Sequence, residues 1–461
     1  MPGLFGILNI GVSALLSHRD ALSVRSQNLA NVDTPGYSRQ EAILGTNPSI
    51  PAVGTAEAMI GGQYGTGVRV IGIYRAHEGF LGIQARICKG SLGRHETAAS
   101  TLRQVESVLA PVPGEDLSAA LDGFWDAWES VANKPEDLGL RYVLQETGRS
   151  LADTFRGYVE RLNSIRISLD HGIRTRVEEV NDLTKQIAEY NRQISVALAE
   201  NRAPNDLLDS RDVLLDRLAE LTGAMPANSE AGHLSVYLDG RPLVQGASAY
   251  ELSITAGAGG LEIRSGYDNG TVALQRGEIG GLLYARDTAI PAYLAELDSL
   301  AGTLAAEVNA RHQLGFGLDG VSGRDFFVAG STAGDIALDP AVLGDVRAIA
   351  AGATDAPGDG SAALAIANLR TTAVIGGRTL NEAAQALIGM IGKDVYACED
   401  GVTAQEFALE QIKEQQQSIA GVSIDEEMTY LMLSQRAYEA AARVVTAADE
   451  MIGIILERLG V

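Results

Sequence analysis

The histidines are the side chains best suited to acid–base chemistry or metal binding near neutral pH, but their spacing favours neither. The chain contains His18, His77, His95, His171, His233 and His312, and no two of them are three or four residues apart. Two ligands on one helix need that spacing, because only such residues share a face. The two cysteines, Cys88 and Cys398, lie outside any C-x-x-C pattern and are expected to be buried thiols. The sequence therefore predicts no metal site and no disulfide framework.

A glycine pattern and an aromatic cluster also have the residue types of ligand sites. Residues 315–320 match G-x-G-x-x-G by letter, but they follow a predicted helix instead of a strand and open no helix of their own. We interpret them as a glycine-rich turn and expect no bound nucleotide or other cofactor. Phe124, Trp125 and Trp128 have no histidine or basic residue beside them, so we expect them in a core.

Three consecutive carboxylates, Asp425, Glu426 and Glu427, have the residue types of a general acid and base. They stand just before the last apolar repeat of the chain, where the positive end of a helix dipole favours negative charge. Capping of a helix N-terminus is therefore the better interpretation. We predict no catalytic residue anywhere in the chain, and we expect that the protein is not an enzyme.

Both ends of the chain carry seven-residue apolar repeats, the spacing that keeps one helix stripe against a partner helix. The C-terminal repeat is interleaved with Met428, Gln435, Ala442, Asp449 and Leu456. Two core helices of an ordinary bundle are the alternative, but the repeats are some four hundred residues apart, and polar residues interrupt both. We predict an assembly interface formed by Leu8, Val12, Leu15, Leu22, Leu29, Met428, Leu431, Tyr438, Ala442, Val445, Ile452, Leu456 and Leu459.

Length and charge limit the class of protein. A chain of 461 residues is too long for one hydrophobic core. Its net charge of −23 argues against binding to nucleic acid or to an anionic membrane surface, since phosphates would be repelled. No apolar run approaches the roughly twenty residues that span a bilayer, so no membrane insertion is expected. The first sixteen residues have neither the basic start nor the cleavage site of a secretory leader.

The local patterns predict a mainly helical chain with a β-rich insertion. The first helix should end near Asn31, before a turn at Pro35 and Gly36 and an extended or loop-like stretch to Gly62. The further expected elements are a strand near Val68, helices over residues 79–221, hairpins after Pro226 with a turn at Asp239 and Gly240, a helix over residues 281–312, an irregular tract over residues 314–360, and helices from Ala362.

We therefore predict a mainly α fold with a β-rich insertion (α+β), in three parts. Paired terminal coiled-coil helices form the first, a helical bundle built from both halves of the chain forms the second, and a small outer β-rich domain forms the third. The predicted ranges are 1–62 and 418–461 for the terminal part, 63–225, 281–316 and 366–417 for the bundle, and 226–280 and 317–365 for the outer domain.

Two segments resemble the signatures of bacterial flagellar axial proteins. SQNLANVDTPGYSRQ, residues 26–40, looks like the N-terminal signature shared by rod, hook and hook-associated proteins. Residues 421–451, which begin GVSIDEEM, resemble the C-terminal signature of the first hook-associated protein family of the hook–filament junction. The signature positions are Ser26, Asn28, Leu29, Ala30, Asn31, Thr34, Pro35, Gly36, Tyr37, Gly421, Asp425, Glu426 and Glu427.

The resemblance continues between the two ends, in the same order along the chain. GTGVRVIGIYR from Gly65, PNDLLDSRD from Pro204 and the run from Arg286 to Phe327 are also similar to that family. Residues 75–80 read RAHEGF, where relatives carry an acidic residue one place away. The tract between Phe327 and Ala362 is short for the family and indicates a reduced outer domain.

The resemblance implies a structural protein of the flagellum, the organelle of motility, in which both terminal helices pair and line a tube. It implies synthesis in the cytoplasm and secretion by type III export to the extracellular hook–filament junction. The implied partners are copies of the chain, hook protein, a second junction protein beneath the filament, a cytoplasmic chaperone on the C-terminal region and the flagellar type III export apparatus. Since isolated helices are marginal in water, we expect the ends to order when neighbours cover them.

Two other classes remain as alternatives. One is another axial component, such as a rod, hook or flagellin-like subunit, because these also have apolar terminal repeats. The other is a secreted enzyme housed in the outer domain, which would need clustered histidine, cysteine or carboxylate side chains there. His233 and His312 are the only histidines between residues 226 and 365, so the second alternative has little support.

Overall fold

The computed structural model describes residues 4–51, 63–109, 116–228, 233–257 and 260–459, and 66% of the chain is helical. The helices are α1 (Leu4–Ala30), α2 (Gly79–Leu109), α3 (Leu117–Asn133), α4 (Leu138–Ala199), α5 (Asn205–Thr222), α6 (Gly277–Tyr284), α7 (Ile290–His312), α8 (Pro340–Gly344), α9 (Ser361–Ala367), α10 (Leu380–Ala420) and α11 (Ile424–Leu459). The strands are β1 (Gln40–Thr46), β2 (Ile50–Pro51), β3 (Gln63–Tyr64), β4 (Val68–Arg75), β5 (Met225–Asn228), β6 (Leu234–Leu238), β7 (Arg241–Gln245), β8 (Ser248–Ala249), β9 (Leu252–Gly257) and β10 (Gly260–Ser265). The predicted fold class is confirmed.

Helix ends follow local sequence signals. The side chain of Asp137 accepts hydrogen bonds from backbone N–H groups in the first turn of α4, and Thr379 and Glu382 form a reciprocal capping box at the start of α10. Gly223 ends α5 in the left-handed conformation, with φ of 72°, which costs glycine no side-chain clash. A short π-helix, Ala285–Ala289, joins α6 to α7, so the predicted helix of residues 281–312 begins earlier, at Gly277.

A β-hairpin follows α1 where the sequence predicted an extended or loop-like stretch. β1 pairs with β4 in antiparallel register, from Gln40 opposite Arg75 to Thr46 opposite Val68. Ser17 Oγ of α1 donates a hydrogen bond to the carbonyl of Val68 and so ties the helix to the hairpin. The predicted boundary between residues 62 and 63 therefore falls inside a hairpin. Part of the predicted loop, residues 52–62, lies outside the described residues.

The helical body has one continuous apolar core between α2, α3, α4, α7 and α10. Phe124 and Trp128 are fully buried there, against Phe326 and Phe327. His312 lies in the same cluster, where its Nδ1 contacts the carbonyl of Arg324 at 2.7 Å and its Nε2 accepts a hydrogen bond from Ala350 N at 2.8 Å. Burial lowers the pKa of His312 to about 4, so its imidazole is neutral at pH 7.

The hairpins predicted after Pro226 are present. β5, β6, β7 and β8 form one antiparallel sheet in chain order, and β9 pairs with β10. Asp239 and Gly240 turn the chain between β6 and β7 with φ of 50° and 75°, as a two-residue hairpin turn requires. Asn181 and Asn191 on α4 bind the backbone of this region, through Leu252 and Leu234.

Residues 317–365 contact the opposite end of α4. Arg141 donates hydrogen bonds to the carbonyls of Val346 and Ile349, and Gln145 donates one to the carbonyl of Val342. Gln145 precedes Asn181 by 36 residues of the same helix, a separation of roughly 50 Å. The two segments predicted as one outer β-rich domain therefore lie far apart on α4, and the second contains the short helices α8 and α9 instead of paired strands. The irregularity expected of residues 314–360 is confirmed.

Within the part of the chain that the structure describes, no helix combines the length and the apolar composition needed to cross a membrane.

Candidate assembly interface

The two ends of the chain meet as an antiparallel helix pair. Gly11 on α1 contacts Val445 on α11, and Arg25 further along α1 contacts Glu427 near the start of α11. The residue numbers rise along one helix as they fall along the other. α1 and α11 therefore run in opposite directions, and each helix covers one stripe of the other.

The predicted leucine repeat of α1 and one repeat of α11 are partly buried, as such a contact requires. These positions are Leu8, Leu15, Leu22, Leu29, Leu431, Tyr438, Val445 and Ile452, and Ala442 is also partly buried. Val12, Met428 and Leu456 are exposed in the single chain. The side chain of Leu459 lies outside the described residues. The assignment of these residues to an assembly interface stays a prediction.

The second row of α11 residues at the contact differs from the predicted row, which is Met428, Gln435, Ala442, Asp449 and Leu456. Glu427, Ala441 and Ala448 are buried and Ser434 is partly buried, whereas Gln435 and Asp449 of the predicted row are exposed. Small side chains let the two helix backbones approach closely, which accounts for alanine and glycine at the contact. The polar residues that the sequence placed in the stripe therefore face solvent and carry no desolvation cost.

Glu427 is the centre of a buried polar cluster between the two helices. Its side chain is only 1% exposed, and Arg25 Nη1 donates to its Oε1 at 2.9 Å and to its Oε2 at 3.2 Å. Asn28 Nδ2 donates to the same Oε2 at 3.1 Å. The guanidinium of Arg25 also stacks over the ring of Tyr430, 4.7 Å from its centroid. A buried carboxylate is stable only with such partners, so this cluster fixes the register of α1 against α11.

Asn28 connects this cluster to the turn that follows α1. Its Nδ2 also donates to the carbonyl of Gln40, while its Oδ1 accepts hydrogen bonds from Gln40 N and from Tyr37 Oη at 2.8 Å. Both hydrogens and both lone pairs of the carboxamide are thus used. Burial, together with Asp206, Asp209 and Glu427, raises the pKa of Tyr37 to about 12, so its hydroxyl remains a donor at neutral pH.

The turn itself has the predicted geometry. Tyr37 N donates to the carbonyl of Thr34, and Pro35 and Gly36 occupy the two central positions. Gly36 has φ of 81°, the left-handed value that the second central position of a type II turn requires. The turn leads the chain into β1, whose first residue, Gln40, is bound by Asn28.

A row of carboxylates on α5 holds this terminal unit, by which we mean α1, the β1–β4 hairpin and α11, against the helical body. Gln40 Nε2 donates to Asp206, and Ser38 N donates to Asp209. Arg75 Nη1 donates to Asp209 at 2.9 Å and to Asp212 at 2.7 Å. Further along the row, Arg86 and Lys89 of α2 bind Asp216.

The signature residues thus fall into two groups. Asn28 and Glu427 are buried in the cluster, and Tyr37 is partly buried beside it. The exposed positions are Ser26, Ala30, Thr34, Pro35, Gly36, Asp425 and Glu426, and the partly buried ones are Leu29, Asn31 and Gly421. Sequence reasoning missed Arg25 and Gln40 and assigned Glu427 only a capping role. All three acidic residues do lie in the first turn of α11.

Large apolar side chains remain exposed on the terminal unit. On α1 they are Phe5, Ile7, Ile10, Val12 and Leu16, and on the hairpin they are Ile43, Leu44, Ile71 and Tyr74. On α11 they are Ile424, Met428, Tyr430, Met432, Leu433, Val444, Met451, Ile454, Ile455 and Leu456. A surface this apolar is typical of a protein–protein interface. No group of three or more histidine, cysteine, aspartate or glutamate side chains among the described residues could hold a metal ion.

Comparison with known sequences assigns each part of this architecture. Residues 8–37 match the family model described as flagella basal body rod protein, and residues 415–458 match the flagellar basal body rod FlgEFG protein C-terminal model. These terminal matches define an axial protein of the bacterial flagellum. Residues 102–327, between them, match the flagellar hook-associated protein FlgK helical domain.

Relatives that match over their full length narrow the class of axial protein. The chain is 29% identical to flagellar hook-associated protein 1 of Bacillus subtilis, over 100% of this chain and 99% of the relative. It is 24% identical to the proteins of that name from Salmonella typhimurium and Escherichia coli, over 98% of this chain and 99% of each relative. Over its full length the chain is similar to flagellar hook-associated protein 1, and it is a structural component of the flagellum at the hook–filament junction.

A solved structure agrees with the fold. The flagellar hook junction protein FlgK from Burkholderia pseudomallei matches 73% of this chain and all of its own, with a TM-score of 0.66 and 18% sequence identity. The likeness at this identity concerns the fold.

Proposed function

We propose that copies of this chain form a ring through α1 and α11, between hook protein on one side and a second junction protein beneath the filament on the other. The main support for this proposal is the apolar surface of the terminal unit. Residues such as Phe5 and Leu433 stay exposed even though α1 and α11 pair. Covering one such side chain contributes about 1.5–3 kcal/mol. Neighbouring subunits are the partners that this surface fits.

The same proposal accounts for the two kinds of contact in the terminal unit. The Arg25–Glu427 cluster sets the register within one chain, because buried polar groups tolerate one arrangement only. The apolar surface then supplies the free energy of association between chains. The body and the β-rich region are positioned outside the helix pair through the carboxylates of α5, and their role at the junction is structural.

We further propose that the chain is made in the cytoplasm, bound there at its C-terminal region by an export chaperone, and secreted through the flagellar type III apparatus to the outside of the cell. The exposed apolar stripe of α11 supports a need for a chaperone before assembly. We infer that the protein catalyses no reaction, since its relatives are structural proteins and its buried carboxylates are bound, Glu427 by Arg25 and Asp209 by Arg75.

The position of the chain in purified flagella tests this proposal. We expect a labelled subunit to occupy a thin zone between hook and filament, and a strain that lacks the chain to make hooks but shed filament protein into the medium. Label along the whole hook or filament would instead assign the chain to another axial component. An unchanged filament in the deletion strain would contradict the junction role.

A further inference from the structure

A second seven-residue apolar repeat runs along α11 beside the one that faces α1. One row of this repeat contains Tyr430, Ala437, Val444 and Met451. The other row contains Leu433, Ala440, Ala447 and Ile454. Alternating steps of three and four residues keep both rows on a single stripe of the helix, as in the seam of a coiled coil. We call these two rows the second stripe.

Only one edge of the second stripe touches α1 of the same chain, where Arg25 stacks over Tyr430 and Val444 lies beside Gly11. Each residue of its first row precedes by one position a residue that faces α1, such as Tyr430 before Leu431, so the stripe lies about 100° around α11 from that contact. Leu433 is 56% exposed and Ile454 is 53% exposed. The only member of the two rows that is even partly buried is Ala437. The other row, Leu433, Ala440, Ala447 and Ile454, is exposed throughout, so a second helix is needed to cover it.

Resting on the proposed function, we propose that the second stripe docks α1 of a neighbouring copy of this chain. α1 offers a free flank of its own, because Phe5, Val12 and Leu16 are exposed and are separated by seven and four residues. Two different surfaces on one chain make a head-to-tail contact that continues from copy to copy, as a ring requires. A stripe that bound its own equivalent would stop at a dimer.

The length and the charge of α1 both fit the second stripe. The second stripe spans 24 residue steps, roughly 36 Å, and the 27 residues of α1 extend over roughly 40 Å. Arg436 and Arg443 border the stripe on the side away from α1 and form no ion pair in the described part of the chain. Asp20 is the only carboxylate of α1. In the antiparallel register seen within the chain, Asp20 of the second copy comes close to Arg436.

Site-specific photo-crosslinking in assembled flagella tests the inference. The full-length chain, carrying p-benzoylphenylalanine in place of Ala447, replaces the native protein in cells, and its flagella are purified and irradiated. We expect a product of twice the chain mass in which position 447 is joined to a peptide from residues 4–30. The matched control carries the same probe at Thr446, which is exposed and lies about 100° further around α11, away from the stripe, and should give about tenfold less product.

The outcomes separate the docking inference from the proposed function. A crosslink from position 447 to α11 of another copy or to a different protein would overturn the inference, as would no crosslink in flagella that contain the chain. Absence of the unmodified chain from purified flagella would overturn the proposed function as well.

Charged substitutions provide an independent measurement. Ala440→Arg with Ala447→Arg should leave the melting temperature of the free chain unchanged, because both alanines are exposed there, and should lower incorporation about tenfold, the effect of 1.4 kcal/mol. Gln435→Arg with Thr446→Arg adds the same charge on the exposed face and should incorporate normally. Equal incorporation of the two variants would contradict the inference.

Discussion

Gly11 lies against Val445 so closely that a β-carbon on Gly11 would be 2.9 Å from Val445 Cγ2. The two terminal helices therefore touch where α1 has no side chain. Gly453 lies near the C-terminal end of α11, and a β-carbon on it would have no atom within 4 Å.

These two glycines give the first prediction. Gly11→Leu should weaken the pairing of α1 and α11 by about 1–3 kcal/mol, because the added side chain has no space. Gly453→Leu, the matched control, should leave the pairing intact. Hydrogen exchange of α1 amides measures the difference, and equal protection in the two variants would show that the helices are not in close contact at Gly11.

Removal of the buried carboxylate should be more damaging. Glu427→Ala leaves the guanidinium of Arg25 buried without its partner, so the pairing of α1 and α11 should lose about 3–5 kcal/mol. Glu426→Ala removes a neighbouring carboxylate that is 64% exposed and should change the pairing by less than about 1 kcal/mol. Hydrogen exchange of α11 amides is again the measurement. Similar exchange in both variants would refute the structural role of Glu427.

Charges placed inside the helix pair should block assembly without unfolding the body. Leu22→Asp with Val445→Asp should abolish co-sedimentation with hook polymers, since unpaired carboxylates are costly to bury. The far-ultraviolet circular dichroism of the body should persist. Gln27→Asp with Gln435→Asp adds the same charge at exposed positions and is the control. Normal co-sedimentation of the first variant would count against assembly through the terminal helices.

The contact between the terminal unit and the body should depend on Arg75. Its side chain is 12% exposed between Asp209 and Asp212, so Arg75→Ala should loosen this contact by about 3 kcal/mol. Arg69→Ala, on an exposed position of the same strand, should have almost no effect. Hydrogen exchange of β4 amides reports the change. Arg75→Glu combined with Asp212→Arg should recover part of the protection, and no recovery would argue against an ionic contact.

Stability of the body should fall in mild acid because of His312. Its pKa is lowered from 6.5 to about 4 in the folded state, so the unfolded chain binds more protons between these values. The His312 contribution is complete above pH 6.5 and is lost as the pH falls toward 4. Between pH 7 and 5.5 the free energy of unfolding should drop by about 1 kcal/mol more than in His312→Gln. Urea unfolding at the two pH values measures this, and equal drops would disprove it.

The sequence predicted what depends on local pattern. The turn at Pro35 and Gly36, the hairpin at Asp239 and Gly240 and the apolar repeats at both ends all follow from residue type and spacing. The leucines of α1 share one partly buried stripe because seven-residue spacing alone decides it. The second row of α11 residues at the contact was not predicted, because alanine and serine at a close helix contact carry no strong hydrophobic signal.

Long-range polar contacts were beyond sequence reasoning. The pairing of Arg25 with Glu427, and of Arg75 with Asp209, depends on which helices the fold brings together. Arg25 lies between Leu22 and Leu29 of the apolar repeat, but a charge at that position does not identify its partner. The spread of residues 226–280 and 317–365 along α4 was missed for the same reason, since local pattern does not say which end of a long helix a segment contacts.

Arg25 and Glu427 are 402 positions apart in the sequence, and this separation has a consequence during synthesis. Arg25 leaves the ribosome early, whereas its carboxylate is among the last residues translated. A chain that terminates before Glu427 therefore leaves Arg25 with only the exposed carboxylate of Glu41, 3.8 Å away. Only a polypeptide that includes α11 closes the cluster, so its closure distinguishes subunits with both terminal helices from shorter fragments.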